Sequence, residues 1–301
     1  MERYAKQLCE KYDLVIQEEL LGGLNNDGVY RVRNDNSVSL ILKIATKPNT
    51  IAEIAMNLRG YQALRENSLS CVIPAIFFHE LSAQQAMIIT EDFGDNFLTQ
   101  ITNTKHPVNF YQNLSSELER IYLLSRQSGC HGREKIISII SLVIEQYEKY
   151  LFMHMDKERQ IATALHTLQS SIAVDSLSFC CFSDWDFTPE DIYLTEAGLK
   201  YSDPHDDILG VPIIDLACFS ALVKLYGLPE AETGYEVLKQ LALEKVPALL
   251  SIDKQLALKL FFLGRLLQRF LSARFRFEAQ PEQAHALFAE GKMYLEKITQ
   301  L

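Results

Sequence analysis

The chain lacks any run of about 18 consecutive apolar residues, the length a helix needs to cross a bilayer, so no membrane-spanning helix is expected. Its first residues, MERYAKQLCEKYD, are too polar for a secretory signal, and a cytoplasmic protein is expected. The six cysteines, at positions 9, 71, 130, 180, 181 and 218, have no CxxC spacing. Most sit in apolar surroundings, which favours buried free thiols in a reducing compartment over zinc sites or disulfides. Positive charge is also in short supply. Lys and Arg total 29 against 39 Asp and Glu, a formal net charge of −10. Nucleic acid is therefore excluded as a main partner, because phosphate contacts need clustered Lys and Arg. An acidic cleft would instead attract a cationic substrate. No internal repeat, low-complexity tract or long linker is visible.

What remains is an ordinary globular composition, 48% hydrophobic and 23% charged over 301 residues. That length suits one large domain or two lobes.

The most informative stretch is Phe182 to Phe219, FSDWDFTPEDIYLTEAGLKYSDPHDDILGVPIIDLACF. It sets Asp184, Asp186, Asp191, Asp203, Asp206, Asp207 and Asp215 among apolar runs. DIYL and LKYS read as two short strands around the turn TEAG, with a helix starting near Ile213. Asp186 and Asp191 then fall on a loop before a hairpin, and Asp203 just after it. Carboxylates at the ends of rigid strands suit hard divalent cations, which take oxygen ligands. They also suit a base that accepts a hydroxyl proton, because the strands fix its position. Asp191 follows Asp186 by five residues, Asp203 follows Asp191 by twelve, and Asp215 follows Asp203 by twelve.

Upstream, residues 4–12 predict a short amphipathic helix and residues 14–21 a strand. The loop Gly22-Gly23-Leu24-Asn25-Asn26-Asp27-Gly28 follows, then a strand over 29–32 and a third over 37–45. Glycines between strands let backbone N–H groups approach phosphates without a Cβ in the way, although an ordinary β-turn uses the same residues. Lys43 lies within the apolar run LILKIA, and a buried Lys needs a charge partner. A helix is predicted over 49–66, strands over 72–78 and 86–90, and a mainly helical chain from about 108 onward. Predicted helices there cover 109–127, 135–154, 158–174, 213–226, 232–244, 253–275 and 281–299. The segment Leu256 to Phe277 carries Arg265, Arg269, Arg274 and Arg276 among aromatics, and reads as a core helix rather than an acceptor-binding surface.

These motifs resemble the aminoglycoside/choline-kinase-like phosphotransferase family. That family has a catalytic loop His-Gly-Asp-x-x-x-x-Asn, then a metal-binding Asp, then Asp-Leu-Ala at a helix start. The matching stretches are Asp184-Trp185-Asp186 to Asp191, Tyr201-Ser202-Asp203, and Asp215-Leu216-Ala217. The chain departs from the pattern where His-Gly becomes Asp184-Trp185 and where Asn becomes Asp191.

The resemblance implies an α+β fold of the two-lobed protein-kinase-like type. Residues 1–91 would form an N-terminal nucleotide-binding lobe with a five-stranded antiparallel sheet and one main helix. Residues 92–96 would form the hinge and 97–301 a helical C-terminal lobe, with nucleotide between the lobes. It implies ATP (or GTP) and Mg2+ as cofactors, and transfer of the γ-phosphate to a hydroxyl of a small acceptor such as an amino sugar, aminoglycoside or choline-like molecule. Asp186 would accept or orient the hydroxyl proton, and Asp191 and Asp203 would bind the metal. Gly22, Gly23, Asn25, Asn26 and Lys43 would hold the phosphates, with Glu53 the candidate partner of Lys43. Thr90, Glu91 and Asp92 would meet the adenine through backbone groups. Asp184, Trp185, His205 and Asp206 are candidate acceptor contacts. Asp215 would brace the catalytic loop. The segment EDFGD and the helix LGRLLQRFLSARFRF look most like the cell-wall amino-sugar kinases. An alternative reading is a nucleotide-binding pseudokinase or scaffold with a degenerate catalytic loop. A protein kinase is disfavoured by the short chain between Asp203 and Asp215.

Overall fold

A computed structural model describes residues 2–20, 27–127, 131–148, 161, 163–167, 179–182, 188–208 and 210–301. The chain divides into two compact units, Met1–Asn96 with Asp191–Asp207, and Phe97–Glu190 with Ile208–Leu301. Residues 191–207, which the sequence assigns to the helical lobe, thus pack with the first unit.

The first unit opens with helix α1 (Glu2–Lys11), followed by strands β1 (Leu14–Leu20), β2 (Gly28–Asn34) and β3 (Ser39–Ala45). Helix α2 (Pro48–Glu66) comes next, then β4 (Ile76–Leu81) and β5 (Ala86–Glu91). The five strands form one sheet in the order β1-β2-β3-β5-β4, with every neighbouring pair antiparallel. Alternation along β3 decides the use of its two faces. Leu40, Leu42 and Ile44 join Tyr30, Val32, Met87 and Ile89 in a core that α1 covers with Ala5, Leu8 and Cys9. Lys43, opposite Ile88 in the ladder, points to the other face. The strand predicted over 72–78 begins later than expected. A 3-10 turn occupies Ser70–Val72 and β4 starts at Ile76. Pro74 explains the shift, because it has no N–H to give to a ladder.

The second unit holds α3 (Phe97–Asn103), which the sequence analysis did not anticipate, then α4 (Pro107–Ser125) and α5 (His131–Gln146). The two-residue strands β6 (Arg126–Gln127) and β7 (Phe179–Cys180) pair with each other. Later come α6 (Pro212–Leu225), α7 (Ala231–Gln240), α8 (Val246–Leu250), α9 (Lys254–Arg276) and α10 (Pro281–Gln300). A π-helical turn, Leu241–Lys245, joins α7 to α8. Most of the helix predicted over 158–174 lies outside the described residues. Proline opens α4, α6 and α10, where its missing N–H has no helical partner to lose. At the start of α9 the Asp253 carboxylate accepts a 2.7 Å hydrogen bond from the Leu256 N–H, a side-chain cap. Helix α9 is a core helix: Arg265 and Arg269 are buried and share the Glu290 carboxylate at 3.0 and 2.7 Å.

Gly264 on α9 sets how closely that helix approaches α6. A Cβ there would stand 2.5 Å from the Ile214 carbonyl oxygen and 2.8 Å from the Ala217 Cβ. Gly264→Ala would gain helix propensity, but the clash with backbone outweighs it, and a net loss of about 1–3 kcal/mol is expected. Urea denaturation should therefore show a lower midpoint. A raised midpoint would contradict the close approach of the two helices.

Candidate active site

The chemistry-bearing residues of the first unit converge around Lys43. In β3 the strand's pleat buries this Lys, with 8% of its surface exposed. Its Nζ forms an ion pair with the Asp203 carboxylate. Asp203 follows a hairpin of β8 (Ile192–Thr195) and β9 (Gly198–Tyr201), in which Ile192 lies opposite Tyr201. The Ser202 N–H donates to the Asp191 carbonyl at 2.9 Å, one step beyond the ladder. The twelve-residue interval between Asp191 and Asp203 is therefore the length of the hairpin, and both residues stand at its open end. Thr195 closes the far end, its hydroxyl donating to the Gly198 carbonyl at 2.9 Å, with Gly198 at a positive φ of 103°.

Two tyrosines register the paired acidity. Burial raises the pKa of Tyr61 well above its usual value, and the Asp203 and Asp191 charges push the same way. Tyr193 is pushed up to about 12, again by burial first and then by Asp203 and Asp191, against a lowering hydrogen bond with Ser202. Both carboxylates thus act on the same two hydroxyls.

Helix α2 grips the segment after the hairpin. The Asp203 N–H donates to the Tyr61 hydroxyl at 3.2 Å, and Asn57 Nδ2 donates to the Pro204 carbonyl at 3.3 Å. Arg59 Nε donates to the Asp206 carboxylate at 2.8 Å near the surface. Glu53, proposed by resemblance as the partner of Lys43, is not its ion-pair partner; that place is taken by Asp203. Burial raises the pKa of Glu53, with Asp203 pushing the same way and His205 and Lys43 opposing. Glu53 and His205 therefore lie within electrostatic reach of the pair.

The exit from β5 is braced by Asp92. Its side chain, 6% exposed, accepts from Arg31 Nε at 2.7 Å, from Ser39 at 2.6 Å and from the Gly94 N–H at 2.9 Å. Burial alone would raise its pKa, but these donors hold it below the usual carboxylate range. The Glu91 carboxylate accepts from the Ala75 N–H at 3.2 Å, and Thr90 is buried in the ladder. The side chains of Glu91 and Asp92 are thus spent on structure.

Sequence reasoning missed Asp27. Its carboxylate accepts from the Thr46 N–H at 2.6 Å, the Lys47 N–H at 3.0 Å and the Thr50 hydroxyl at 2.9 Å, and lies 2.7 Å from Lys47 Nζ. It ties the start of β2 to the start of α2. The signal was present, since an Asp beside a glycine-rich turn is a candidate cap for orphan N–H groups.

Gly22, Gly23, Asn25, Asn26, Asp184, Trp185 and Asp186 lie outside the described residues. Both flanks of 183–187 are tied down within the second unit. The Cys180 and Gly210 backbones bond each other at 3.0 Å, the Cys181 N–H donates to the Ser125 carbonyl at 3.0 Å, and the Leu98 N–H donates to the Pro189 carbonyl at 3.0 Å. Asp215 is buried in the first turn of α6. It raises the pKa of Cys180, which burial chiefly pushes up to about 12. Cys9, Cys71, Cys180, Cys181 and Cys218 are free thiols, with all but Cys71 buried.

No family model matches the sequence, and no curated protein does. Solved structures do match. Amicoumacin kinase hAmiN, in complex with AMP-PNP, Ca2+ and Ami, is 13% identical with a TM-score of 0.60, over 98% of this chain and 93% of its own. The gentamicin–APH(2")-IIa complex is 13% identical with a TM-score of 0.54, over 98% and 95%. Aminoglycoside phosphotransferase APH(3'')-Id from Streptomyces rimosus, in complex with ADP and streptomycin, is 12% identical with a TM-score of 0.53, over 89% and 98%. Likeness at this identity shows the fold, which is the two-lobed α+β fold of these phosphotransferases.

Asp27 offers a pH test. Burial alone would raise its pKa, but hydrogen bonds from Lys47, Thr46 and Thr50 hold it far below the usual carboxylate range. A depressed folded-state pKa contributes stability above the ordinary Asp value and loses it as pH falls toward the folded value. The stability difference between wild type and Asp27→Asn should be constant from neutral pH to about 5 and shrink on acidification below about 4. Urea denaturation at several pH values measures it, and a difference independent of pH down to about 3 would count against these bonds.

Proposed function

We propose that the protein is an ATP-dependent kinase that transfers the γ-phosphate to a hydroxyl of a small-molecule acceptor. The observation that carries this reading is the Lys43–Asp203 ion pair, formed between a strand of the sheet and the open end of the β8–β9 hairpin. A buried cation beside a hard carboxylate is one half of a site for a metal-bound polyphosphate: phosphate oxygens suit the ammonium and a divalent cation suits the carboxylate. Asp191 brings a second carboxylate to the same end of the hairpin. One or two carboxylates completed by substrate phosphates is the usual way proteins hold Mg2+. The residues present therefore fit the metal. Neighbours of the same fold were solved with AMP-PNP and Ca2+ or with ADP, which supports a nucleotide here.

In this reading Lys43 binds and orients the α/β-phosphates, with Gly22, Gly23, Asn25 and Asn26 covering them. Asp191 and Asp203 would hold Mg2+, which would supply positive charge to offset that of the phosphates. Asp186 accepts or orients the proton of the attacking hydroxyl, from a segment whose flanks are tied to Ser125, Gly210 and Leu98. The neighbours solved with gentamicin, streptomycin and Ami support a small acceptor, and the net charge of −10 favours a cationic one.

An ATP-consumption screen against amino sugars, aminoglycosides, choline and homoserine, with and without Mg2+, tests the activity. ATP with Mg2+ should raise the melting temperature, since a ligand that binds only the folded state stabilises it. Lys43→Ala should reduce that rise, and no rise at millimolar ATP would count heavily against a kinase. Asp186→Asn should keep the rise but lower turnover by about 10² or more, the scale of a lost general base. Undiminished turnover would move the base elsewhere. Asp191→Asn should stay active but need more Mg2+ for half-maximal rate, while Asp191→Ala should lose most activity. Three superimposable Mg2+ titrations would show that Asp191 is not a ligand.

A further inference from the structure

Asp203 sits in the left-handed region, at φ 57°. Most L-residues avoid this region because Cβ crowds the following carbonyl, and Asp is one of the few that enters it as a single residue, at a smaller cost. The conformation is fixed there when surrounding structure holds it. Here the imposing structure is one face of α2. Asn57, Gly60 and Tyr61 are spaced i, i+3 and i+4, which places them together on the helix surface. The Tyr61 hydroxyl accepts from the Asp203 N–H at 3.2 Å, and Asn57 Nδ2 donates to the Pro204 carbonyl at 3.3 Å. Between them, Gly60 lets the segment lie against the helix. A Cβ at Gly60 would stand 2.6 Å from the Pro204 carbonyl oxygen and 2.4 Å from that of His205. Those atoms are backbone and cannot swing aside as a flexible side chain would.

We propose that Tyr61, with Gly60 and Asn57, is a positioning residue for Asp203: this face of α2 holds the Asp203 backbone in the left-handed state that presents its carboxylate to the metal and to Lys43. The inference rests on the kinase reading, which makes Asp203 a metal ligand. Tyr61 does not touch the metal or the phosphates; it acts through the Asp203 N–H. Losing its hydroxyl frees the backbone to relax toward commoner φ values, and the carboxylate moves with it. Groups that orient a metal ligand typically affect metal affinity by 10- to 100-fold on substitution, so a clear effect is expected from one hydroxyl.

The test uses the full chain as wild type, Tyr61→Phe, Gly60→Ala and Ile54→Val. Each is titrated with Mn2+ in the presence of ADP, with free Mn2+ read by electron paramagnetic resonance and the melting temperature measured alongside. Tyr61→Phe and Gly60→Ala should raise the Mn2+ concentration for half-saturation by about tenfold. Ile54→Val removes a methyl group from the buried face of the same helix and should lower the melting temperature without moving the Mn2+ curve. If wild type takes up Mn2+ and Tyr61→Phe gives the same curve, the inference is overturned and the kinase reading stands. If Ile54→Val shifts the curve as far as Tyr61→Phe, loss of stability alone explains the effect and the inference is again overturned. Failure of wild type to take up Mn2+ with ADP overturns both the kinase reading and this inference.

Discussion

The first unit depends on the charge pair between Lys43 and Asp203. A Lys buried without a partner carries a large desolvation cost, and in practice such a group is paired or loses its charge. β3 contains no acid of its own to pair with it, its sequence being SLILKIA. The partner comes from 160 residues further along the chain. That requirement accounts for the composition of the unit, which takes residues 191–207 from the middle of the helical half of the sequence. The hairpin is bound at more than one point. Lys200 donates to the Cys71 carbonyl at 2.8 Å, and Tyr193 packs its ring 5.4 Å from that of Phe93.

The acidic residues of this chain divide into two uses. Asp27, Asp92 and Asp206 are held by Thr46, Thr50, Lys47, Arg31, Ser39 and Arg59, and serve as ties between elements. Glu290 in the second unit is shared by two buried arginines, Arg265 and Arg269. Those charges are already matched by nearby cations or donors. The net charge of −10 already counts the cations in these pairs, so it is the acidic excess left after them.

Much of the site was legible because its spacing has a simple physical meaning. The interval from Asp191 to Asp203 equals two four-residue strands with their turn and flanks, so the sequence alone placed both acids at the open end of a hairpin. Lys43 stood out because a cation in an apolar strand needs a partner, although the resemblance named Glu53 and the structure chose Asp203. The misses have separate causes. Tyr61, Gly60 and Asn57 act on the backbone of Asp203 and Pro204, and a contact between one residue's side chain and another's main chain leaves no mark in the second residue's type. Asp27 was hidden by its neighbours, because a glycine-rich loop draws attention to phosphate rather than to helix capping. Pro74 was visible and decisive, and weighing its missing N–H would have put β4 in the right place.

The second unit contributes support of a different kind. The segment 183–187 carries Asp184 and Asp186, and is five residues long. Its upstream flank is tied by Cys180 to Gly210 and by Cys181 to Ser125, and its downstream flank by Pro189 to Leu98. Asp215 lies buried where α6 begins, and its charge is felt at Cys180 and Tyr122 beneath the upstream flank. The residues on either side of the segment are set by main-chain bonds that do not depend on the identity of residue 184.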